Sequence, residues 1–331
     1  MRVIRGLTNL KQLQDGCAVT IGNFDGVHRG HEMVIRNLAL EGKRLGLPVV
    51  VMLFEPQPLE YFHCGRAPSR LTRLREKIVQ LRKLPVDYIL LQRFTPAFAG
   101  IEPQDFVRIF LVEGLKAQYL VVGDDFRFGK NRRGDFGMLK AAGTAAGFIV
   151  DDTDTFRLDG HRVSSTLIRQ ALEAGDLAKT EQLLGRPYSV CGRVIHGEKR
   201  GRSVGFPTAN IRMFRKNTPV LGVFAVTMTG IGSQILHGVA NVGTRPTVDD
   251  GQTVLLETHL FDFDQEIYNR YVEVHFVEKI RNERRFESFD ALKDQIRKDV
   301  EQARMILRAQ GHQHLFTGQT TDSPNTTENG L

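Results

Sequence analysis

The sequence feature that most constrains the fold is a glycine-rich segment, residues 22–31, that follows the short apolar run Cys17-Ala18-Val19-Thr20-Ile21. The segment reads Gly-Asn-Phe-Asp-Gly-Val-His-Arg-Gly-His and leads into an amphipathic stretch from Glu32 to Leu45. An apolar run, then glycines, then helical periodicity predicts a strand, a tight turn and a helix. Because glycines let a ligand approach the backbone and free N–H groups at a helix start favour negative charge, this arrangement predicts an anion site.

Two histidines of the segment are candidate ligands. His28 and His31 are three residues apart, a spacing that places both imidazoles on one face of a first helical turn. Neutral rings can donate hydrogen bonds to phosphate oxygens, and protonated rings add positive charge. The pair could also bind a metal, although the sequence has no third His, Cys or carboxylate at a suitable spacing nearby. The glycine spacing matches neither the P-loop nor the dinucleotide-binding fingerprint.

The segment resembles the His-x-Gly-His signature of the nucleotidylyltransferase superfamily. Its longer form is similar to the adenylyltransferase module of bacterial FAD synthetases, whereas an ordinary strand-to-helix turn is the alternative interpretation. The resemblance implies that ATP is bound here by Gly22, Asn23, Phe24, His28 and His31, and that the two histidines are catalytic.

Length and composition indicate an ordinary globular protein. At 331 residues, with 41% hydrophobic and 25% charged residues, the chain is expected to form two domains. It has no apolar run long enough to cross a bilayer and no signal-peptide core near Met1, so we expect a cytoplasmic protein. The three cysteines are far apart, which favours neither disulfides nor a zinc site. The net charge of +7 suits polyphosphate substrates as well as nucleic acid.

The first half alternates apolar runs with stretches of helical periodicity. The runs span 48–54, 87–91 and 119–122, and the segment 103–115 has an apolar helical face that begins with a proline. This alternation predicts an α/β domain with a Rossmann-like, doubly wound parallel sheet, in which ligands gather at the carboxyl ends of the strands. We therefore expect the functional motifs to meet at one edge of the sheet.

Two loops at predicted strand ends have unusual compositions. Residues 54–58, Phe-Glu-Pro-Gln-Pro, could form an apolar wall with Tyr61 and Phe62, or a rigid loop that packs on the core. Residues 123–129, Gly-Asp-Asp-Phe-Arg-Phe-Gly, combine acids, aromatics and glycines, although Asp124 and Asp125 could instead be solvated turn residues. Both loops resemble segments that cradle the nucleotide and flavin in FAD synthetases. The resemblance implies that the flavin is bound by Pro56, Pro58, Phe62, Asp125 and Phe128.

A third motif, Ser164-Ser165-Thr166-Leu167-Ile168-Arg169, opens a predicted helix. Its hydroxyls suit helix capping, and Arg169 follows about one turn later, so the motif predicts either a plain N-cap or a second phosphate clamp. The pattern resembles the second signature of the same superfamily. The resemblance implies that Ser165, Thr166 and Arg169 hold the phosphates of ATP.

The second half, beyond Gly185-Arg186-Pro187, has short alternating runs between glycine-rich turns. The runs span 188–195, 222–229, 236–242, 255–261 and 271–276. They predict an antiparallel β-barrel, followed by a helix from Ser288 to about Arg308. Phe289, Leu292, Ile296, Val300 and Ala303 mark the helix face that is expected to pack on the barrel.

A basic glycine-rich loop, residues 197–210, ends in Gly-Phe-Pro-Thr-Ala-Asn. It could fold over polyphosphate, with Thr208 and Asn210 offering neutral oxygens to hydrated Mg²⁺, or it could be a basic hairpin loop. The segment resembles the signature of riboflavin kinases, as do residues 238–247 and 256–261. The resemblance implies that ATP is bound here by Gly201, Gly205, Thr208 and Asn210, and that Thr208 and Asn210 bind Mg²⁺.

Glu257 is the candidate general base of the second half. Phosphorylation of a primary alcohol needs a positioned proton acceptor, and a carboxylate beside the phosphates can serve. The alternation of Leu256, Glu257 and Thr258 also fits a strand residue that simply faces outward. The resemblance implies the catalytic role.

Nearly the whole chain thus resembles the bacterial bifunctional riboflavin kinase and FAD synthetase family. The predicted domains are 1–185 (FMN adenylyltransferase), 186–310 (riboflavin kinase) and a disordered polar tail, 311–331. The implied substrates are riboflavin, FMN and ATP with Mg²⁺, FMN and FAD are the products, and no nucleic acid, membrane or obligatory protein partner is expected. An enzyme that transfers a nucleotide to another phosphorylated metabolite and an RNA-binding module that has kept a nucleotide fold are the alternatives.

Overall fold

The computed structural model describes residues 1–10, 13, 15–63, 65–153, 155–197, 205–213, 215, 217–246 and 252–317. The chain divides into two compact units. The first comprises Met1–Tyr188 and Arg215–Pro219, and the second comprises Ser189–Phe214 and Val220–Leu331.

The first unit is built on a six-stranded, all-parallel sheet with the strand order β1-β4-β3-β2-β5-β6. β2 is buried along its whole length, and β3 is buried up to its last residue, as is typical of central parallel strands covered by helices on both faces. A two-stranded ribbon, β7-β8, lies outside this sheet. The strands are β1 (Arg2–Arg5), β2 (Cys17–Ile21), β3 (Val49–Glu55), β4 (Tyr88–Arg93), β5 (Ala117–Val122), β6 (Ile149–Asp152), β7 (Arg157–Leu158) and β8 (His161–Arg162).

The strand order reverses between β2 and β5, because the chain proceeds from β2 to β3 on one side and from β5 to β6 on the other. In open α/β sheets the crevice at such a reversal is where ligands bind. The predicted parallel α/β architecture is confirmed, but the edge strands β1 and β6 were not predicted from the sequence. The glycine-rich segment follows β2 directly, so it lies at this crevice.

Helices of the first unit connect the strands. Helix α1 begins at Arg29, three residues earlier than the periodicity predicted, and ends at a left-handed Gly46. The predicted helix over 103–115 is a short α-helix that continues as a π-helix from Val107 to Gly114. The helices are α1 (Arg29–Leu45), α2 (Pro58–Phe62), α3 (Leu74–Leu81), α4 (Pro96–Ala99), α5 (Pro103–Phe106), α6 (Phe136–Ala146), α7 (Ser165–Ala174) and α8 (Leu177–Leu184), with 3₁₀ turns at Leu7–Asn9 and Lys130–Arg132.

The second unit is a closed barrel with the strand order β10-β13-β12-β11-β14-β9, and β9 pairs with β10 to complete it. All of its pairings are antiparallel, which confirms the predicted barrel. One strand, β10, was missed because it is only four residues long and directly follows the glycine-rich loop. The strands are β9 (Ser189–Ile195), β10 (Ala209–Arg212), β11 (Gly222–Thr229), β12 (Leu236–Pro246), β13 (Gln252–Leu260) and β14 (Tyr271–Arg281).

Helix α9 (Phe289–Thr317) packs on the outside of this barrel. Ala303 and Leu307 are buried there against Val223, Ala225 and Val239. The predicted packing of Phe289 is wrong, since 55% of its surface is exposed at the first residue of the helix. The helix also continues beyond residue 310, so residues 311–317 of the predicted disordered tail are helical, and residues 318–331 lie outside the described part of the chain. In that part, the helices lack the combined length and apolarity of a membrane span.

Candidate active sites

A cavity of about 1190 Å³ opens at the carboxyl edge of the parallel sheet. Segments that follow β2, β3, β4 and β5 line it, together with the start of α7. The sheet therefore brings together motifs that are distant in sequence. The predicted site residues on its wall are Gly22, Asn23, Phe24, His28, His31, Pro58, Phe62, Asp125, Phe128 and Ser165.

The two histidines cap helix α1 reciprocally. His28 is the N-cap residue, and its Nδ1 accepts a hydrogen bond of 3.3 Å from the His31 backbone N–H. Nδ1 of His31 accepts in turn from the His28 backbone N–H, also at 3.3 Å. The rings stack with their centroids 3.5 Å apart. This is the geometry of a capping box, formed here by imidazoles in place of the usual hydroxyl and carboxylate.

The reciprocal bonds fix the tautomer of both rings. A nitrogen that accepts a hydrogen bond carries no proton, so in a neutral ring the proton is on Nε2. Burial lowers the pKa of His28 to about 4, although the Asp25 carboxylate raises it. Burial, followed by the neighbouring His28, lowers the pKa of His31 well below its ordinary value. Both rings are therefore neutral near pH 7, and each retains Nε2–H as its one ring donor.

The turn between β2 and α1 is held by a buried carboxylate, Asp25, which is 3% exposed. Its oxygens accept from the backbone N–H groups of Leu71 and Thr72, both at 3.0 Å. Arg169 donates to the same carboxylate through Nη2 at 2.6 Å and to the Ser69 carbonyl through Nε at 2.6 Å. The Asp25 ion pair thus joins the first signature to the second.

The residues predicted to clamp phosphate at the start of α7 differ in where they lie. Ser164 caps the helix by accepting from Leu167 N–H at 3.2 Å, and Ser165 donates from Oγ to the Asp25 carbonyl at 2.9 Å. Ser164 and Ser165 line the cavity, whereas Thr166 and Arg169 do not. The Arg169 guanidinium binds the Asp25 carboxylate and does not line the cavity in this structure.

Two further cations hold the signature turn and were not found from the sequence. Lys77 is 1% exposed, and its Nζ donates to the Asn23 carbonyl. Burial lowers the pKa of Lys77 to about 8, whereas Asp25 raises it. Arg186 donates to the Val27 carbonyl at 2.8 Å and to the Gly26 carbonyl at 2.5 Å. Gly26 has φ +87°, a conformation in which a β-carbon is strained, so this turn needs glycine there.

Aromatic rings form an apolar wall of the cavity. Phe54 at the end of β3 lies 6.0 Å from Phe94 and 5.5 Å from Phe98, measured between ring centroids. Phe62, which is 54% exposed, lies 5.7 Å from Phe94. Phe94 and Phe98 were not predicted as site residues. Their position just after the carboxyl end of β4 is the sequence feature that could have identified them, since ligands gather at that edge of the sheet. Pro58 lines the cavity and Pro56 does not.

The 123–129 loop also lines the cavity. Phe126 and Phe128 stack with their centroids 5.8 Å apart and an interplanar angle of 19°. Asp125 is exposed, and its carboxylate lies 3.5 Å from Nη2 of Arg162 at the end of β8. Arg127, Arg132 and Arg162 also line the cavity, which gives it positive charge beside an apolar wall. Such a surface suits a ligand that joins an aromatic ring system to phosphates.

In the barrel unit, three polar residues lie side by side on neighbouring strands. Asn210 of β10 pairs with Glu257 of β13, and Glu257 pairs with Asn241 of β12. Leu256 and Thr258 are buried inside the barrel, so Glu257 is on the outer face and is half-buried there. Opposite residues in antiparallel strands have β-carbons about 5 Å apart. The outward-facing interpretation of Glu257 is therefore compatible with the catalytic one.

Asn210 is buried where the loop 197–210 returns to the barrel. Its Nδ2 donates to the Thr208 carbonyl at 3.3 Å. A β-carbon at position 197 would lie 2.3 Å from this side chain, so the buried amide requires Gly197. Gly205 has φ +89° at the end of the loop. Gly201, a predicted ATP ligand, lies outside the described residues.

The described part of the chain holds no cluster of three or more His, Cys, Asp and Glu residues that could bind a metal. Thr208 and Asn210 supply neutral oxygens, a donor set that fits a hydrated Mg²⁺ sharing its shell with phosphates.

These features define a two-domain enzyme class, with a nucleotidyl-transfer type of α/β domain followed by a barrel kinase domain. A family model described as FAD synthetase matches residues 10–167, and one described as riboflavin kinase matches residues 184–307. The bifunctional riboflavin kinase/FMN adenylyltransferase of Haemophilus influenzae is 52% identical over 93% of this chain and 100% of its own length. The Escherichia coli protein of the same name is 52% identical over 92% of this chain and 97% of its own.

Among solved structures, a macrolide-efflux protein from Streptococcus pneumoniae has a TM-score of 0.75 and 30% identity. The match covers 91% of this chain and 98% of that one. The identities and coverage together show that the chain belongs to the bifunctional riboflavin kinase/FMN adenylyltransferase family. The resemblance found in the motifs is thereby confirmed.

Proposed function

We propose that this bifunctional enzyme performs its two reactions at the two sites described above. The barrel unit phosphorylates riboflavin with ATP to give FMN and ADP. The α/β unit then transfers AMP from ATP to the FMN phosphate and releases pyrophosphate. Because ATP is the donor in both reactions, we expect the enzyme to act in the cytoplasm.

The observation that supports the adenylyl-transfer site most strongly is the capped histidine pair on the wall of the cavity. Two neutral imidazoles with their protons on Nε2 can each donate to a phosphate oxygen without a conformational change. Two helix N-termini, those of α1 and α7, add free backbone N–H groups at the same edge. These donors stabilise the charge that develops on the α-phosphate as the FMN phosphate attacks in line, and no covalent enzyme intermediate is needed.

Asp25 and Arg169 have a positioning role in this proposal. Their ion pair ties the first signature to the 69–72 loop and to helix α7. The pair therefore fixes the separation between the histidines and Ser165, so that both ends of a triphosphate can be bound at once. Phe62, Phe94 and Phe98 offer an apolar aromatic wall against which an isoalloxazine ring can pack.

For the kinase reaction, Glu257 accepts the proton of the riboflavin hydroxyl as that oxygen attacks the γ-phosphate. Thr208 and Asn210 would hold Mg²⁺, which neutralises phosphate charge when it is bound. The support for this assignment is the alignment of Asn210 with Glu257 on paired strands. That alignment supports the proposed roles, because it brings the Asn210 amide beside the Glu257 carboxylate.

A chromatographic time course with riboflavin and MgATP tests the proposal. We expect FMN to appear first and FAD to follow after a lag. FAD formation from supplied FMN without riboflavin turnover would contradict the kinase assignment. Adenylylation of a different phosphorylated metabolite, with no flavin product, would favour the alternative nucleotidylyltransferase.

A further inference from the structure

A side chain on β13 holds the loop that leads into β10. His259 Nδ1 lies 2.9 Å from the Pro207 carbonyl oxygen, and the two residues are 52 positions apart in sequence. A carbonyl oxygen only accepts hydrogen bonds, so His259 donates from Nδ1–H. The bond exists in both the neutral and the protonated ring, because both can carry a proton on Nδ1.

This bond continues the strand pairing past its end. The β10–β13 register begins with Ala209 opposite Thr258, so Thr208 would stand opposite His259. Proline has no N–H group and cannot donate to a ladder. The His259 side chain donates to the Pro207 carbonyl instead. Thr208 is therefore fixed on both sides, by Ala209 in the β10–β13 pairing and by the hydrogen-bonded Pro207.

The histidine ring is itself held by aromatic contacts. Phe206 lies edge-on to it at 5.3 Å between centroids, and the Phe261 ring centroid lies 6.0 Å away. Burial lowers the pKa of His259, whereas its bond to Pro207 raises it. The ring therefore has a defined orientation rather than a free choice of rotamers.

Helix α9 contacts two residues that follow His259 in the chain, Phe261 and Asp262. The Arg304 guanidinium lies 4.4 Å from the Phe261 ring centroid and forms two hydrogen bonds of 2.9 Å to the Asp262 carboxylate. Phe261 is buried with Ala303 and Leu307 of the same helix. The helix thus fixes the end of β13, from which His259 extends.

We propose that His259 is a positioning residue for riboflavin phosphorylation, whose Nδ1–H bond to Pro207 sets the positions of Thr208 and Asn210 beside Glu257. The inference rests on the proposed binding of MgATP by Thr208 and Asn210. It adds a residue that touches neither phosphate nor flavin, and it connects helix α9 to the nucleotide site through β13.

Three substitutions separate the hydrogen bond from the packing of the ring. His259→Asn keeps a donor near the position of Nδ1, His259→Gln moves the donor outward, and His259→Phe keeps the ring and removes the donor. We expect the Phe and Gln variants to lose about tenfold to a hundredfold in kcat/KM for MgATP in FMN formation, since small misplacements at a reacting centre are costly. The Asn variant should remain within about threefold of the wild type, and KM for riboflavin should change little.

Two controls make the result decisive. FAD formation from supplied FMN should be unchanged in all three variants, which reports on the first unit, and circular dichroism spectra that match the wild type should show that the barrel is folded. His237→Phe makes the same change at an exposed position of the same barrel and should leave FMN formation at the wild-type rate.

Wild-type kcat/KM for MgATP in His259→Phe would overturn the inference, as would equal losses in the Asn and Gln variants. A wild-type chain that forms no FMN would instead overturn the proposed function. The two failures are thus distinguishable.

Discussion

Nη2 of Arg169 lies 2.6 Å from Oδ2 of Asp25, across 144 residues of sequence, and the two side chains are 15% and 3% exposed. The carboxylate also accepts two backbone N–H groups from the 71–72 turn. One buried ion pair therefore holds three separate segments of the adenylyl-transfer site.

The first prediction concerns this pair. Asp25→Asn leaves the Arg169 guanidinium without its charged partner, which should lower the free energy of unfolding of the first unit by about 3 to 5 kcal/mol. FAD formation should fall with it. Urea denaturation followed by circular dichroism measures the loss, and FMN formation reports on the second unit. The matched change Asp124→Asn, at an exposed aspartate of the same unit, should shift stability by less than about 0.5 kcal/mol. Equal stability of the two variants would show that the Asp25 pair is not needed.

The second prediction tests the His31 donor. His31→Ala should lower FAD formation by about a hundredfold or more, because it removes a donor to the reacting phosphates. His31→Asn offers a side-chain oxygen to the His28 N–H and so preserves the cap, yet it lacks the Nε2–H. Both variants should therefore be similarly slow, while FMN formation stays near the wild-type rate. Normal FAD formation by the Asn variant would assign His31 to capping alone.

The third prediction follows from the pKa of His28, which burial lowers from 6.5 to about 4. As the pH falls below 6.5, the unfolded chain binds this proton and the folded chain does not. Stability from this group is therefore complete above about pH 6.5 and is lost progressively down to about pH 4. Between pH 7.5 and pH 5 the loss should be about 2 kcal/mol.

Denaturation of wild type and His28→Asn at both pH values checks this result. The stability advantage of the wild type should shrink by that amount on acidification. An advantage that does not change between the two pH values would mean that the folded chain titrates His28 normally.

The fourth prediction concerns the proton acceptor of the kinase. Glu257→Gln keeps the size of the side chain but cannot accept the hydroxyl proton, so FMN formation should fall by about a hundredfold to ten-thousandfold. FAD formation from supplied FMN should persist, whereas riboflavin with MgATP should yield neither product at an appreciable rate. Near-normal FMN formation by a folded variant would require another base.

Local patterns in the sequence predicted the elements that depend on neighbouring residues. The apolar run before Gly22 became β2, and the helix predicted to open at the 164–169 motif became α7. Alternation around Glu257 correctly predicted an outward side chain, because the strand period of two is a local property. The strand-turn-helix geometry at His28 was predicted for the same reason, although its histidine cap was not, since imidazoles are not usual capping groups.

Only the tertiary structure decided which distant residues meet. No local pattern could predict that Asp25 pairs with Arg169 or that Lys77 donates to the Asn23 carbonyl. Nor could a local pattern predict that Arg169 contacts a carboxylate rather than the cavity. The tertiary structure also decided the exposure of Phe289. This residue lies on the predicted apolar face of the helix, but its position at the first residue of α9 leaves it exposed. The sequence by itself determined most of the strands and helices along the chain and the chemistry of the motifs, because periodicity and turn preferences act over a few residues. Burial, ion pairing and hydrogen-bond partners depend on contacts across many residues, so the fold alone determined them.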